Sequence, residues 1–111
     1  MHVSLKALAA VLLLQAQSAQ AADPLSVGVL LPMTGVFAPI GAEQLNGMQL
    51  AVEEAGGEVA GRKINLIVED TEAKPDVGLS KARKLVMSER VDVLAGVVSS
   101  AVALAVAPFT S

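Results

Sequence analysis

The sequence predicts an α/β fold, in which an open parallel sheet carries helices on both faces in the order βαβαβα. Three short apolar runs of strand length, residues 25–31, 64–69 and 91–98, alternate with stretches of helical periodicity. This alternation is typical of βαβ units, whose right-handed crossovers make the strands parallel and place the helices on the faces of the sheet.

The first strand, loop and helix follow from local sequence signals. Residues 25–31 (LSVGVLL) are apolar enough for a buried parallel strand, and Pro32 ends it. Residues 33–41 hold two glycines and a proline, which predicts a loop. In residues 42–55 the apolar side chains recur at helical spacing, and Gly56-Gly57 is a suitable helix end.

The second half of the chain repeats this pattern. A polar segment, 58–63, precedes the second strand, and Asp76 is the predicted N-cap of the second helix. The third strand leads through Ser99-Ser100 into an apolar helix, 101–107, which we expect Pro108 to halt or kink. The face of the second helix that we expect to be buried consists of Leu79, Ala82 and Val86, with Leu85 at its flank.

Residues 1–21 have the composition of a secretory signal peptide. Lys6 precedes an unbroken apolar run of eight residues, 7–14, and Ala19-Gln20-Ala21 fits the small-x-small pattern of a cleavage site. This run is too short to cross a bilayer, which takes roughly 20 apolar residues. An N-terminal core helix is the disfavoured alternative. We predict cleavage after Ala21 and export from the cytoplasm, with a partial domain in residues 22–111.

Composition argues against several classes of function. Without Lys6 the chain keeps seven basic and 11 acidic residues, a net charge of −4, which gives no basic surface for nucleic acid. There is no cysteine, and the single histidine, His2, lies in the leader. Thiol and histidine chemistry are therefore excluded from the exported chain. We expect no enzyme, no cofactor, no metal and no nucleic-acid partner.

The candidate binding residues follow the strands. In open α/β sheets, ligands bind beyond the carboxyl ends of the strands. Ser99 and Ser100 lie there, before a helix whose first N–H groups favour a carboxylate, although one serine equally fits a simple helix cap. Phe37 and Ile40 in the first loop either line a cleft or pack against their own domain.

Other motifs do not indicate chemistry. The glycine-rich loop lacks both common phosphate-binding patterns. Glu53-Glu54 and Glu69-Asp70 are neighbours only in sequence, and no nucleophile or base accompanies them. We expect Asp70 to hydrogen-bond loop backbone instead.

Taken together, the residues from 25 to 111 closely resemble the N-terminal part of periplasmic solute-binding proteins of the branched-chain amino acid type, which serve ABC importers. Each of its motifs is weak alone, and the set is specific because the motifs occur in the expected order. The motifs are Thr34-Gly35 with Gly41, Asn46-Gly47, Gly56-Gly57 with Gly61-Arg62-Lys63, Asp70 with Pro75, and Gly96 with Ser99-Ser100.

The resemblance implies a type I periplasmic binding fold, in which two lobes close on a small ligand that is handed to an ABC permease in the inner membrane. This chain would supply the first part of lobe 1. Ser100 matches the serine that binds the ligand's carboxylate through hydroxyl and backbone, with Ser99 and Ala101 beside it. Phe37 and Ile40 match ligand contacts of the first loop.

The resemblance leaves the ligand and the role open. Members of the family bind branched-chain amino acids, amides, short peptides or aromatic acids, and they are several times longer than 111 residues. We therefore expect a truncated form. A ligand-sensing module of a receptor and an inactive exported fragment are the alternatives.

Overall fold

A computed structural model describes residues 22–111 as a four-stranded sheet with three helices, and the predicted signal peptide lies outside these residues. The sheet order is β2-β3-β1-β4, with β1 parallel to both β3 and β4 and β2 antiparallel to β3. The predicted α/β fold is confirmed. The strands are β1 Leu25–Leu31, β2 Glu58–Val59, β3 Arg62–Asp70 and β4 Val93–Gly96, and the helices are α1 Ala38–Glu54, α2 Pro75–Arg83 and α3 Ser100–Thr110, with a π-helical turn, Lys84–Ser88, after α2.

The topology explains why both faces of the sheet are covered. The chain moves from β1 to one neighbour, β3, and then returns past β1 to its other neighbour, β4. Right-handed crossovers in opposite directions place α1 and α2 on opposite faces. Successive strand residues point to opposite faces, and Val29, Leu30 and Leu31 are all fully or almost fully buried. The centre of β1 is therefore inaccessible to water from either side.

The main core lies between the sheet and the pair α2 and α3, where Leu30, Ala82, Leu85, Val102 and Val106 form one buried cluster. The predicted buried face is correct for Ala82, which is fully buried, but wrong at its end: in the π-helical turn after α2, Leu85 is fully buried and Val86 is 38% exposed. The π-helical turn changes the residue spacing that the predicted α-helix assumed. Within α2, α3 packs closely against Gly78, where an added Cβ would lie 2.5 Å from Val102 Cγ1. A glycine contributes no apolar side chain to a hydrophobicity pattern, yet it selects the face on which α3 rests.

Several predicted boundaries also shift. Helix α1 begins at Ala38 instead of residue 42, because Pro39 has the backbone angle of a first helical turn and no N–H to leave unpaired. Asp76 lies in the first turn of α2, and Lys74 is the N-cap. Helix α3 continues through Pro108 to Thr110. The polar segment 58–63 contains a short hairpin, β2 with β3, turning at Ala60 and Gly61 with positive φ. Within residues 22–111, no helix combines the length and apolarity needed to cross a bilayer.

Candidate ligand-binding site

Three strands end side by side at one edge of the sheet. Leu31 pairs with Asp70 at the ends of β1 and β3, and Leu30 pairs with Gly96 near the ends of β1 and β4. Since these strands are parallel, the loops that follow them all leave at the same edge. The loops after β1 and β4 then turn to opposite faces, because α1 and α3 lie on opposite sides of the sheet. A crevice between two such diverging loops is where open α/β sheets bind ligands.

Ser99 lies at this edge and caps α3. Its Oγ accepts a hydrogen bond from the Val102 N–H at 3.4 Å, and its own backbone is extended. The helix-cap interpretation is therefore correct for Ser99, while its neighbour differs. Ser100 is the first residue of α3 and is exposed, as is Ala101.

The backbone N–H groups of Ser100 and Ala101 have no acceptor among the hydrogen bonds formed within residues 22–111. The first N–H groups of a helix carry partial positive charge, which favours an anion beside them. The Ser100 hydroxyl adds a donor at the same point. The start of α3 thus offers a compact set of donors that suits a carboxylate.

Phe37 and Ile40 lie at the start of the other helix that borders the crevice. Phe37 is the N-cap residue of α1 and is 41% exposed, and Ile40 is 45% exposed. Neither side chain is buried within its own domain. They present apolar surface at the sheet edge from which the serines also project. The structure places the serines and these two apolar residues at one edge of the sheet, on opposite sides of the crevice between the loops that follow β1 and β4.

Two glycines allow this edge to close tightly around the end of β1. A Cβ on Gly96 would lie 2.1 Å from the Leu30 carbonyl oxygen, and a Cβ on Gly41 would lie 1.9 Å from the Pro32 carbonyl oxygen. Any other residue would push β4 or α1 away from β1. These glycines therefore set the spacing between the two sides of the crevice.

Asp70, at the end of β3, binds the first loop as predicted, and it also binds a side chain that sequence reasoning missed. Its carboxylate accepts from the Met33 N–H at 2.8 Å, the Glu72 N–H at 2.8 Å and the Thr34 hydroxyl at 2.7 Å. Partial burial acts to raise the pKa of Asp70, but these hydrogen bonds outweigh it and lower the pKa below its ordinary value. No sequence signal links Thr34 to a residue 36 positions away.

A groove of about 650 Å³ lies elsewhere, between the open edge of β4 and α3. It is lined largely by apolar side chains such as Val93, Leu94, Val106 and Phe109, and none of the predicted ligand-binding residues borders it. In the described part of the chain β4 pairs only with β1, so the groove is the uncovered side of the core. No cluster of three or more acidic or histidine side chains is placed to hold a metal within residues 22–111.

Comparison with known proteins gives the family. The sequence signature described as "Periplasmic binding protein" matches residues 24–111. The chain belongs to the periplasmic binding protein family. The predicted similarity to substrate-binding proteins of ABC transporters is confirmed by related sequences and by solved structures.

The chain is 37% identical over 94 residues to Leu/Ile/Val-binding protein homolog 7 of Brucella abortus, a match that covers 83% of this chain and 23% of that protein. A solute-binding protein of an ABC transporter from Rhodopseudomonas palustris, solved with benzoate, superposes with a TM-score of 0.75 and 39% identity. That match covers 78% of this chain and 24% of the other. A leucine-binding protein from Thermotoga maritima superposes with a TM-score of 0.73 and 32% sequence identity. That match covers 78% of this chain and 24% of the leucine-binding protein.

The covered shares show how much of each relative this chain corresponds to. The chain spans about a quarter of the length of each of these relatives. Family members and structural neighbours are binding proteins.

Proposed function

We propose that this chain is the first part of the N-terminal lobe of a solute-binding protein, which captures a small carboxylate-bearing ligand for an ABC permease in the inner membrane. Residues 1–21 would direct export as a signal peptide, and residues 22–111 would act in the periplasm. The ligand contacts would come from Ser99, Ser100, Ala101, Phe37 and Ile40.

The observation that carries the proposal is the exposed start of α3 at the crevice between the loops that follow β1 and β4. Ser99 holds the first turn in place through its cap, and Ser100 and Ala101 present unpaired N–H groups and a hydroxyl. A carboxylate placed there satisfies these donors and meets the positive end of the helix dipole. A phosphate-binding role has less support, because the loop lacks the glycine patterns that wrap phosphates.

The relatives narrow the ligand class. One is named for leucine, isoleucine and valine, and another was solved with benzoate. These molecules share a carboxylate and an apolar body. Phe37 and Ile40 provide apolar surface on the side of the crevice opposite the serines, which suits such a body. We therefore expect an aliphatic or aromatic carboxylic acid.

One edge of one lobe leaves much of a ligand in water. Tight sites in proteins bury 70–90% or more of a small ligand, so this part of the site alone should bind weakly. A second lobe, as in longer members of the family, would supply the remaining surface.

A nuclear magnetic resonance titration tests the proposal directly, since it detects weak binding and locates it. Sodium benzoate and L-leucine should shift the amide signals of Ser99, Ser100 and Ala101. Benzamide and leucinamide, which lack the carboxylate, should not. Shifts that centre on the groove beside β4, or equal shifts with the amides, would contradict the carboxylate site.

Two matched serine variants distinguish the loss of a ligand-binding hydroxyl from the loss of any exposed hydroxyl. Ser100→Ala should reduce the benzoate-induced shifts, because it removes one donor. Ser88→Ala, at an exposed position at the end of the π-helical turn after α2, removes the same atom where no ligand is expected and should leave the titration unchanged. The export part is tested by mass analysis of periplasmic protein, where a chain beginning at Ala22 is expected and a retained Met1 would disprove cleavage.

A further inference from the structure

We infer that Asp70 is a positioning residue for the ligand site: it fixes the loop between β1 and α1 so that Phe37 and the start of α1 stand at the crevice, without itself contacting the ligand. The inference rests on the proposed function, because it assigns a role within that site. It is carried by the hydrogen bonds of one carboxylate that spans two loops.

The carboxylate is fully engaged on the loop side. Asp70 Oδ1 accepts from the N–H groups of Met33 and Glu72, and Oδ2 accepts from the Thr34 hydroxyl. Met33 and Thr34 are the second and third residues after β1. No strand ladder extends into that loop, so a side chain from β3 takes over the role that backbone pairing has within the sheet.

A second contact reinforces the junction. The Thr71 N–H donates to the Leu31 carbonyl at 3.0 Å, and Thr71 is 1% exposed. The Thr71 hydroxyl in turn accepts from the Ala73 N–H at 3.2 Å. The loops after β1 and β3 are therefore fastened to each other by two adjacent residues, Asp70 and Thr71.

The fastening determines the position of the ligand-contacting residues. After Thr34 the chain turns at Gly35, with φ of +83°, and the Ala38 N–H bonds to the Gly35 carbonyl at 3.1 Å. Only Val36 and Phe37 separate this turn from α1, and Val36 is 86% exposed. With so little packing of its own, the segment between Gly35 and Phe37 is held by its two ends: the anchor at Met33 and Thr34 before it, and the close approach of Gly41 to Pro32 in the first turn of α1 after it.

Asp70 also supports an unusual conformation in its own loop. Glu72 and Ala73 both have positive φ, 53° and 56°, which non-glycine residues adopt at a cost. The bond from the Glu72 N–H to Asp70 offsets part of that cost. One carboxylate thus stabilises both loops that border β1 and β3 at this edge.

Amide hydrogen exchange on the purified chain measures the positioning role without ligand. In Asp70→Ala the Met33 amide loses its acceptor and should exchange roughly 10- to 100-fold faster, while the Leu94 amide in β4 should change little. Asp70→Asn keeps an acceptor oxygen and offers an amide donor to the Thr34 hydroxyl, so it should restore most of the protection. Asp76→Ala, an exposed aspartate in the first turn of α2, is the matched control.

The same variants are then titrated with sodium benzoate. Asp70→Ala should bind roughly 3- to 10-fold more weakly, because the loop must be ordered on binding, and Asp70→Asn should recover the affinity. Thr34→Val removes only the hydroxyl bond and should loosen the loop by a smaller factor. It keeps the test decisive if Asp70→Ala does not fold.

Each outcome decides a separate point. Unchanged Met33 exchange in Asp70→Ala, or faster exchange with unchanged benzoate affinity, would overturn the positioning role and leave the proposed function standing. Tighter benzoate binding by both Asp70→Asn and Asp70→Ala would also overturn it, since charge repulsion and not loop order would then be the effect of Asp70. Absence of benzoate shifts at Ser99 to Ala101 in the unmodified chain would refute the proposed function, and with it any ligand role of Asp70.

Discussion

Replacing Gly96 by alanine should damage both the fold and the site, and the structure gives the scale of the effect. Gly96 has a φ of +122° and is paired with Leu30 in the parallel ladder between β1 and β4. An added Cβ would lie 2.1 Å from the Leu30 carbonyl oxygen, 1.3 Å inside the 3.4 Å at which ordinary contact begins. The neighbour is the backbone of a buried strand residue, so it cannot rotate away as a side chain would.

Two terms contribute to the cost of this change. A non-glycine residue held at such a φ is strained by about 1–3 kcal/mol. Separating the strand ends weakens ladder hydrogen bonds worth about 1 kcal/mol each. We therefore expect Gly96→Ala to lower the free energy of unfolding by about 2–4 kcal/mol, a large part of the roughly 5–15 kcal/mol that stabilises a typical domain.

A matched glycine provides the control. Gly47 lies within α1, and an added Cβ there meets nothing within 4 Å. Gly47→Ala should stabilise the chain by about 0.5–1 kcal/mol, because alanine favours the helix. Urea unfolding followed by circular dichroism measures both variants. A Gly96→Ala midpoint equal to or above that of the unmodified chain would refute the close-approach reasoning.

Three further predictions test the site, the core and the electrostatics. Ser100→Ala in a full-length relative carrying this lobe should weaken carboxylate binding by about 1–3 kcal/mol, and unchanged affinity by calorimetry would remove Ser100 from the site. Leu85→Ala should destabilise the chain by about 2–5 kcal/mol and Val86→Ala by much less; the reverse order in urea unfolding would show that the wrong side chain of the turn after α2 has been assigned to the core. The hydrogen bond from Lys84 lowers the pKa of Glu69 against the opposing effect of burial, so its stabilisation is present above the ordinary carboxyl pKa and is lost as the pH falls through the lowered one. Stability should therefore fall as the pH is lowered below the ordinary carboxyl pKa of about 4.5, and Glu69→Gln should flatten that part of the profile; an unaltered slope would count against this ion pair.

The elements were predictable because their signals are local. An apolar run that ends at Pro32 matches β1 residue for residue, and the start of α3 follows directly from Ser99. Strand propensity, proline and capping chemistry act within a few residues of where they stand. The predicted start of α1, residue 42, is too late because glycine and proline together indicate a loop, whereas Pro39 already belongs to the helix.

The candidate site was predictable in part for the same reason. Parallel strands end at a common edge, so the βαβ order alone predicts that the residues after β1 and β4 lie at the same edge of the sheet. The contact between Asp70 and Thr34 crosses 36 positions, and only the assembled sheet brings these residues together. The close approach of Gly96 to Leu30 is of the same kind.

The sequence by itself thus determined the α/β class, the order of the three predicted strands along the chain and the donors at the start of α3, since composition and short-range spacing encode them. The tertiary structure alone decided which side chain of the turn after α2 is buried, how closely β4 approaches β1, and which side chain holds the first loop. Those properties depend on where distant elements come to rest, because a contact's energy is set by the distance between its atoms in space and not by their separation along the chain.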